Sequence, residues 1–379
     1  MISFRATEDE VAFANVVKEF AKDRIRKLAR EAEVKQKVDE ILIAEANELG
    51  FLSLELPEEW GGLELPLISQ VQIIKELSYG DLGVLQGFTG SGDVGPLFRL
   101  QREHSQFQAL KERFRSQENP TTAIVDLTNI ENMLRHSVSM KKEGNGYRLN
   151  GITEPVRLAH FAEELVIFAK DEACNSLIFF LENDQWSVED GDYRLGLLAS
   201  GLGKIRFENV PVSKLLAFGK EADNLIKKFQ TRHYILQAAK EQGLMEAALD
   251  YATEYTATRK AFGQEIAKFQ GVSFKIAKMA IETRIVRSLV WDAALKADEE
   301  TSTAYGSALR ALHRAHRSVR FVTDAAVQLL GGHGFIQEFP VEKWMRDAQA
   351  QVALYGQERD ILTIRGEELL KENVEVPVE

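Results

Sequence analysis

The spacing of apolar residues changes twice along this chain of 379 residues, and this change limits the folds that it can adopt. Up to about residue 115, apolar residues recur at helical spacing, as they do at i, i+3, i+4 and i+7 in the set Phe13, Val16, Val17 and Phe20. From about Thr121, short apolar runs alternate with turn residues, which is typical of β-strands. After about residue 220 helical spacing returns. The order helix, strand, helix predicts an α+β chain with three domains, over residues 1–115, 116–222 and 223–379.

The segments that we interpret as strands are rich in apolar and β-branched residues: 137–140, 147–149, 165–169 and 176–180. Gly144-Asn145-Gly146 predicts a hairpin turn between the first two of them. In the N-terminal region, Gly50 is a helix stop signal and Trp60-Gly61-Gly62 predicts a loop between helices.

Composition excludes several classes of protein. The net charge of −11 and the pI near 5.4 argue against a nucleic acid as a main partner, since that would require a basic surface. One cysteine, Cys174, excludes an intramolecular disulfide and fits a reducing compartment; we expect it to be a small buried residue. The N-terminus lacks the apolar core of a signal peptide, and no apolar run approaches the roughly 18 residues that span a bilayer. We therefore expect a cytoplasmic protein without a membrane segment.

A glycine-rich block, Gln328-Leu329-Leu330-Gly331-Gly332-His333-Gly334-Phe335, follows an apolar helical run. One interpretation is a helix C-cap followed by a turn, because glycine readily adopts positive φ. The other is a backbone cradle for a phosphate-bearing ligand, in which the missing side chains allow close approach. No strand precedes the block, so it is not the strand-turn-helix motif that binds dinucleotides.

This block resembles the flavin-contacting C-terminal motif of the acyl-CoA dehydrogenase family, and other segments resemble further family motifs in the same order. They are Gly50 with Pro57-Glu58-Glu59-Trp60-Gly61-Gly62, Asn150-Gly151, Phe207-Glu208-Asn209-Val210-Pro211-Val212, and Arg259-Lys260-Ala261-Phe262-Gly263-Gln264 with Phe269-Gln270. The resemblance implies an N-terminal helical domain, a middle β-barrel and a C-terminal four-helix bundle. It also implies a homodimer or homotetramer that binds FAD between subunits and acts on an acyl-CoA thioester.

In that family one subunit lends residues to the adenosine and pyrophosphate end of its neighbour's FAD. The resemblance assigns this role to Arg259, Phe262, Gln270, Gln328, Gly331 and Gly332. A guanidinium group is a durable bidentate partner for pyrophosphate oxygens, and glycines let the backbone close in on the ligand.

The residues that would grip the flavin ring of the chain's own FAD depart from the family pattern. Where the family carries a Thr-Glu strand and a Gly-Ser-Asp loop, this chain has the segment 123–130, which contains no glycine. Where the family carries Trp-Ile-Thr, this chain has Pro155-Val156-Arg157. Proline has no N–H to donate and cannot stack as an indole does.

The usual catalytic base is also missing. Most family members place a glutamate about nine residues after an Arg-Asp pair; counting from Arg346-Asp347, Tyr355 takes that position here. A tyrosine is a poor base at neutral pH because its reference pKa is near 10. A minority of the family places the glutamate on an earlier helix, where His233 falls, and Glu358 would reach the site if the local alignment carried an insertion. Tyr355, Glu358 and His233 therefore stay open as catalytic candidates, beside the absence of any base.

Three functions follow from this pattern. The default is an FAD-dependent oxidoreductase that desaturates an acyl-CoA thioester between its α and β carbons. The second is a non-catalytic partner that completes the FAD site of a related chain in a heteromer. The third is a flavin-dependent oxygenase or oxidase on the same scaffold, which needs no glutamate base.

Overall fold

The computed structural model describes residues 8–128, 137–144, 146–182, 185–190, 194–356 and 358–374. Asn145 of the predicted hairpin turn and the end of the segment 123–130 lie outside the described residues.

The N-terminal part is helical, as predicted. Its helices are α1 (Glu8–Phe20), α2 (Arg26–Lys35), α3 (Glu40–Glu48), α4 (Leu67–Gly80), α5 (Leu82–Gln86), α6 (Gly95–Leu100) and α7 (Gln108–Arg115). Helix α3 ends at Glu48, two residues before Gly50, whose φ is +77°. On the predicted apolar face of α1, Val17 and Phe20 are buried, whereas Val16 is 41% exposed.

The middle part contains two four-stranded sheets that enclose one apolar core. The strands are β1 (Thr122–Asp126), β2 (Ser139–Glu143), β3 (Gly146–Val156), β4 (Glu164–Lys170), β5 (Ser176–Glu182), β6 (Ser187–Asp190), β7 (Gly203–Val212) and β8 (Leu215–Phe218). The sheet orders are β1-β4-β5-β8, with β1 and β4 parallel, and β2-β3-β7-β6, which is antiparallel. Every predicted strand segment overlaps a strand. Cys174 is exposed in the turn between β4 and β5, so the expectation that it is buried is wrong.

The C-terminal part consists of long helices and one short hairpin. The helices are α8 (Lys220–Thr258), α9 (Gln270–Asp298), α10 (Ala304–Leu330), α11 (Val341–Leu354) and α12 (Glu358–Val374), and the hairpin joins β9 (Lys260–Ala261) to β10 (Gln264–Glu265). Helix α8 packs against α10, α9 and the N-terminal helix α4. Gly243 permits the approach to α4, because a Cβ there would lie 2.1 Å from the carbonyl oxygen of Lys75.

A cluster of aromatic side chains joins the three parts. Trp60 is fully buried and packs against Phe98, Phe107 and Phe114 of the N-terminal part. From the other parts, Phe168 of β4 packs edge-on against Phe229 of α8, with ring centroids 5.1 Å apart. The predicted loop at Trp60 is thus a buried anchor. Among the helices of the described residues, none is both long and apolar enough to cross a membrane.

Candidate functional site

A cavity of about 90 Å³ lies where the three parts of the chain meet. Most of its wall is apolar and includes Phe51, Leu54, Ile74, Leu77, Phe88 and Leu236. Its polar wall combines the loop after α5, the end of β3 and one face of α8, and includes Asp93, Arg157, His233, Gln237 and Lys240. The cavity therefore has an apolar side and a charged side.

Asp93 is the centre of the charged side, and its carboxylate accepts hydrogen bonds from two other parts of the chain. Its Oδ1 lies 3.1 Å from Arg157 Nη1 and 3.3 Å from Lys240 Nζ. Gln237 Nε2 donates to the same oxygen over 3.1 Å, and the hydroxyl of Tyr355 donates to Oδ2 over 2.6 Å. Four donors thus saturate this carboxylate. We call Asp93, Arg157, Gln237, Lys240 and Tyr355 the Asp93 cluster.

The backbone and two glutamines hold the Asp93 cluster in place. Arg157 Nε donates to the carbonyl of Gln86 over 2.7 Å, and its Nη2 donates to the carbonyl of Phe88 over 3.1 Å. The side chain of Gln86 accepts from Lys240 Nζ over 3.0 Å and donates to Gln351 over 2.6 Å. The guanidinium of Arg157 is therefore fixed inside the protein, pointing toward the N-terminal helices.

The charges of the cluster fix its protonation. Burial alone would raise the pKa of Asp93, but the charges of Arg157 and Lys240 hold it far below its usual range. Burial lowers the pKa of Lys240 to about 8, against the attraction of Asp93, so the ammonium still carries its proton at pH 7. Burial, reinforced by the charge of Asp93, raises the pKa of Tyr355 well above 10. Tyr355 is a hydrogen-bond donor here and cannot act as a base.

His233 also reaches the cavity. The residue is only 9% exposed, and its ring stacks on Phe229 with centroids 5.3 Å apart. The ring of Tyr355 lies 5.5 Å away, so the structure brings these two predicted candidates together. Burial lowers the pKa of His233 to about 4; the charge of Asp93 opposes this shift, and the positive charges of Lys240 and Arg157 add to it. Its imidazole is neutral at pH 7.

The third candidate, Glu358, is elsewhere. It begins α12 and pairs with Arg317 and Arg320, each at 3.1 Å, and with His313 at 3.5 Å. It does not line the cavity. Asp93 and Lys240 are not among the residues predicted from the sequence. Asp93 nevertheless lies in a loop with glycines at 87, 90, 92 and 95, a pattern that indicates irregular backbone.

At the other end of the cavity, Glu55 is already neutralised. It forms a charged hydrogen-bond pair with Arg232, and Arg99 Nη1 lies 3.4 Å from its Oε2. Gln70 donates to the same carboxylate. This carboxylate is therefore a structural link between α4, α6 and α8 and does not face the cavity as a free charge.

The residues predicted to contact a neighbouring subunit's FAD lie on the outside, at the far end of α8. Arg259 is exposed, and among the described residues its guanidinium has no partner. Phe262 and Gly263 form the two-residue turn of the β9–β10 hairpin with φ values of +53° and +82°. Positive φ is unfavourable for a bulky residue, and Phe262 is 95% exposed. A strained, exposed phenylalanine is typical of a surface that another molecule covers.

The glycine-rich block lies at the same end of the helical bundle. The hydroxyl of Tyr255, one helical turn before Arg259, lies 2.7 Å from His333 Nδ1 and donates to the carbonyl of Leu330 over 3.4 Å. Gly331 caps α10 with φ +57°, as the C-cap interpretation predicts. A Cβ at Gly331 or Gly332 would meet nothing within 4 Å. The glycines thus present bare backbone to the outside.

The remaining residues of this set, Gln270 at the start of α9 and Gln328 near the end of α10, are also exposed. We call Arg259, Phe262, Gln270, Gln328, Gly331 and Gly332 the lending surface.

Comparisons with known proteins agree with this organisation. Residues 7–104 match the sequence profile of the acyl-CoA dehydrogenase N-terminal domain, and residues 226–366 match that of the acyl-CoA dehydrogenase C-terminal domain. An acyl-CoA dehydrogenase of Bacillus subtilis is 27% identical over 364 residues, covering 90% of this chain and 93% of the relative. A 3-(aryl)acrylate reductase of Clostridium sporogenes is 25% identical over 359 residues, covering 92% and 95%.

Solved structures give the same result. Butyryl-CoA dehydrogenase from Megasphaera elsdenii has a TM-score of 0.85 and 25% identity, covering 97% of this chain and all of that one. The chain belongs to the acyl-CoA dehydrogenase family of oxidoreductases, whose members are FAD-dependent.

Proposed function

We propose that this chain is the non-catalytic subunit of an FAD-dependent oxidoreductase that acts on acyl-CoA thioesters. It lends the adenosine and pyrophosphate half of the FAD site to a related chain, and the reaction takes place on that relative. The observation that carries the proposal is the Asp93 cluster. It engages Tyr355, which aligns with the family's catalytic glutamate, and Arg157, which aligns with the threonine of the family's Trp-Ile-Thr motif.

The residues that would hold the flavin ring in this chain do not fit it. Arg157 aligns with the threonine of the family's Trp-Ile-Thr motif, and three of its donors bind Gln86, Phe88 and Asp93 within the protein. Pro155 offers no N–H and no indole face. To turn its guanidinium away toward a flavin, Arg157 would have to give up its hydrogen bonds to Asp93 and to two buried carbonyls, and each lost bond costs free energy.

The residues that would hold the other half of FAD in a neighbour do fit. Arg259 has a free guanidinium for a pyrophosphate, Gln270 and Gln328 offer exposed amides, and the backbone at Gly331 and Gly332 is open to a ligand. The exposed ring of Phe262 supplies an apolar surface beside them. The lending surface therefore has groups that can bind the adenosine and pyrophosphate of FAD, whereas the residues that would hold the flavin ring in this chain do not suit it.

Among the described residues at the cavity, no carboxylate is free to act as the base that the family uses. Removing the weakly acidic α-proton of a thioester needs a positioned base with a pKa near the working pH. The Tyr355 hydroxyl holds its proton, Asp93 is saturated with donors, and the pKa of His233 is about 4. Lys240, with a pKa of about 8, carries its proton at pH 7 and hydrogen-bonds Asp93 and Gln86. These states support the expectation that the chain alone desaturates acyl-CoA thioesters slowly or not at all.

Flavin content tests the proposal. The chain is expressed alone and together with a catalytic relative from the same source, and FAD absorbance is measured against protein. We expect near-zero flavin alone and one FAD per two chains in the co-purified complex. One FAD per chain in a homomer would refute the proposal.

The role of Arg259 is tested in the same complex. Arg259→Ala removes a charge-assisted hydrogen bond, which is worth about 1.5–3 kcal/mol, so FAD should dissociate roughly ten- to a hundredfold more readily. Arg115→Ala on α7, an exposed arginine paired with Glu112, is the matched control and should leave FAD retention unchanged. Equal FAD retention by both variants would show that Arg259 does not hold FAD and would contradict the role proposed for the lending surface.

A second candidate is a self-sufficient acyl-CoA dehydrogenase. It is favoured by the near-complete coverage of the Bacillus subtilis acyl-CoA dehydrogenase and by the apolar wall of the cavity. It predicts a yellow homomer that reduces its own flavin when butanoyl-CoA is added.

A further inference from the structure

We propose that the cavity binds a small unesterified carboxylic acid, with its carboxylate among Arg157, Lys240 and His233 and its short tail on the apolar wall. This inference goes beyond the proposed function and does not depend on it, because binding to the chain expressed alone is measured without flavin.

The charges around the cavity do not balance. Arg157 and Lys240 carry two positive charges, and both are paired with the single carboxylate of Asp93. Glu55, the other acid in the wall, is matched by Arg232 and Arg99, and Asp298 lies 3.9 Å from Arg232. One positive charge is therefore left over at the Asp93 end. An uncompensated charge in an apolar surrounding is costly, and an anion in the cavity would offset that cost.

Donors are also left over. Lys240 has three N–H groups, of which Gln86 and Asp93 take two. Arg157 has five N–H groups, and three are engaged by protein acceptors. His233 lines the cavity, is nine-tenths buried and has no hydrogen-bond partner for its ring nitrogens among the described residues. Spare donors on three side chains suit a ligand group with two acceptor oxygens.

Size and polarity limit the ligand. One water-sized site needs about 10–15 Å³ on the scale of this cavity, so about 90 Å³ holds roughly six non-hydrogen atoms. A carboxylic acid of three or four carbons has that size. Its alkyl part would face the wall formed by Leu54, Leu77 and Leu236. An inorganic anion would leave this wall in contact with water, and a neutral ligand would leave the excess charge unmatched.

Isothermal titration calorimetry of the full chain at pH 7 tests this, with butanoate, butanamide and inorganic phosphate as probes. We expect butanoate to bind at least tenfold more tightly than butanamide, which has the same shape without the charge, and more tightly than phosphate, which has the charge without the tail. Equal binding of butanoate and butanamide, phosphate binding as tight as that of butanoate, or no binding of butanoate would overturn the proposal.

Two variants separate the site from its surroundings. Lys240→Met should weaken butanoate binding at least tenfold, and Leu236→Phe, which fills the apolar side and keeps both cations, should do the same. Lys75→Met is the control, because Lys75 pairs with Glu76 and Glu246 away from the cavity. Circular dichroism selects the variants that fold. Unchanged butanoate binding in a folded Lys240→Met or Leu236→Phe protein would contradict the assignment.

Discussion

Replacing His233 should remove a specific part of this protein's sensitivity to acid. The ring lies between Phe229 and Tyr355, and burial lowers its pKa to about 4 from the usual 6.5 of a histidine. Because the folded pKa lies below the unfolded pKa, the unfolded chain binds a proton at this histidine below about pH 6.5 while the folded chain does not. The stabilisation due to the neutral ring is therefore present above pH 6.5 and is lost as the pH falls toward 4.

The magnitude follows from the two pKa values. At pH 5 the unfolded histidine is almost fully protonated and the folded one is mostly neutral. The pH then lies about 1.5 units below the unfolded pKa, and this interval sets the free-energy difference. At about 1.4 kcal/mol per unit, the folded state loses about 2 kcal/mol at pH 5 relative to pH 7. His233→Gln should abolish this loss, because glutamine does not titrate. The lost stacking on Phe229 is the same at both pH values and cancels in the comparison.

The assay is guanidinium chloride unfolding at pH 7 and pH 5, with equal protein concentrations since association would alter the apparent stability. The free energy of unfolding should fall by about 2 kcal/mol more in the original protein than in His233→Gln. His160→Gln, at an exposed histidine, shows the effect of removing a histidine that is not buried. Equal losses in the original protein and His233→Gln would show that His233 is not the buried, neutral group described here.

Two further predictions concern buried charges. Tyr355→Phe should lower the free energy of unfolding by about 1.5–3 kcal/mol, because a hydrogen bond to the carboxylate of Asp93 is lost. Tyr355→Glu should lower it further, because it places a second carboxylate beside Asp93. Urea unfolding compares the two variants, and a glutamate variant more stable than the phenylalanine variant would contradict this geometry. Lys343→Met should lower the free energy of unfolding by about 3–5 kcal/mol. Lys343 Nζ lies 2.7 Å from both Asp81 and Asp347, so its loss leaves two buried carboxylates facing each other. An unchanged unfolding midpoint would argue against this pairing.

The order of helical and β regions could be read from the sequence, because the apolar period differs between a helix and a strand and each segment here keeps one period. Strands β4 and β5 were recognised in another way: their short apolar runs do not alternate with polar residues, because both faces of each strand are buried. The arrangement of strands in two sheets could not be read, because pairing depends on contacts between distant segments. Val16 shows a further limit: it fits the helical spacing but lies at the edge of the buried face.

The residues assigned to the lending surface could be listed from the sequence because they lie in two short motifs that resemble those of the family; their contact with FAD stays a prediction. The Asp93 cluster was not, since its members lie at positions 93, 157, 237, 240 and 355 and meet only when three domains pack together. The replacement of a threonine by Arg157 was visible as a departure from the family pattern. Its contacts with Asp93 and with the carbonyls of Gln86 and Phe88 could not be predicted, because they depend on how distant segments pack.

The meeting of three domains at one carboxylate has a consequence for how the protein unfolds. Asp93 belongs to the N-terminal part, Arg157 to the middle part and Lys240 to the C-terminal part. If any one of these parts separated, at least one of the ion pairs of Asp93 would be broken. Partial unfolding is therefore penalised at the junction itself, and the three parts are coupled into one cooperative unit rather than opening as independent modules. Backbone amides near the junction should accordingly exchange with solvent hydrogen through the same global opening, whichever domain they belong to.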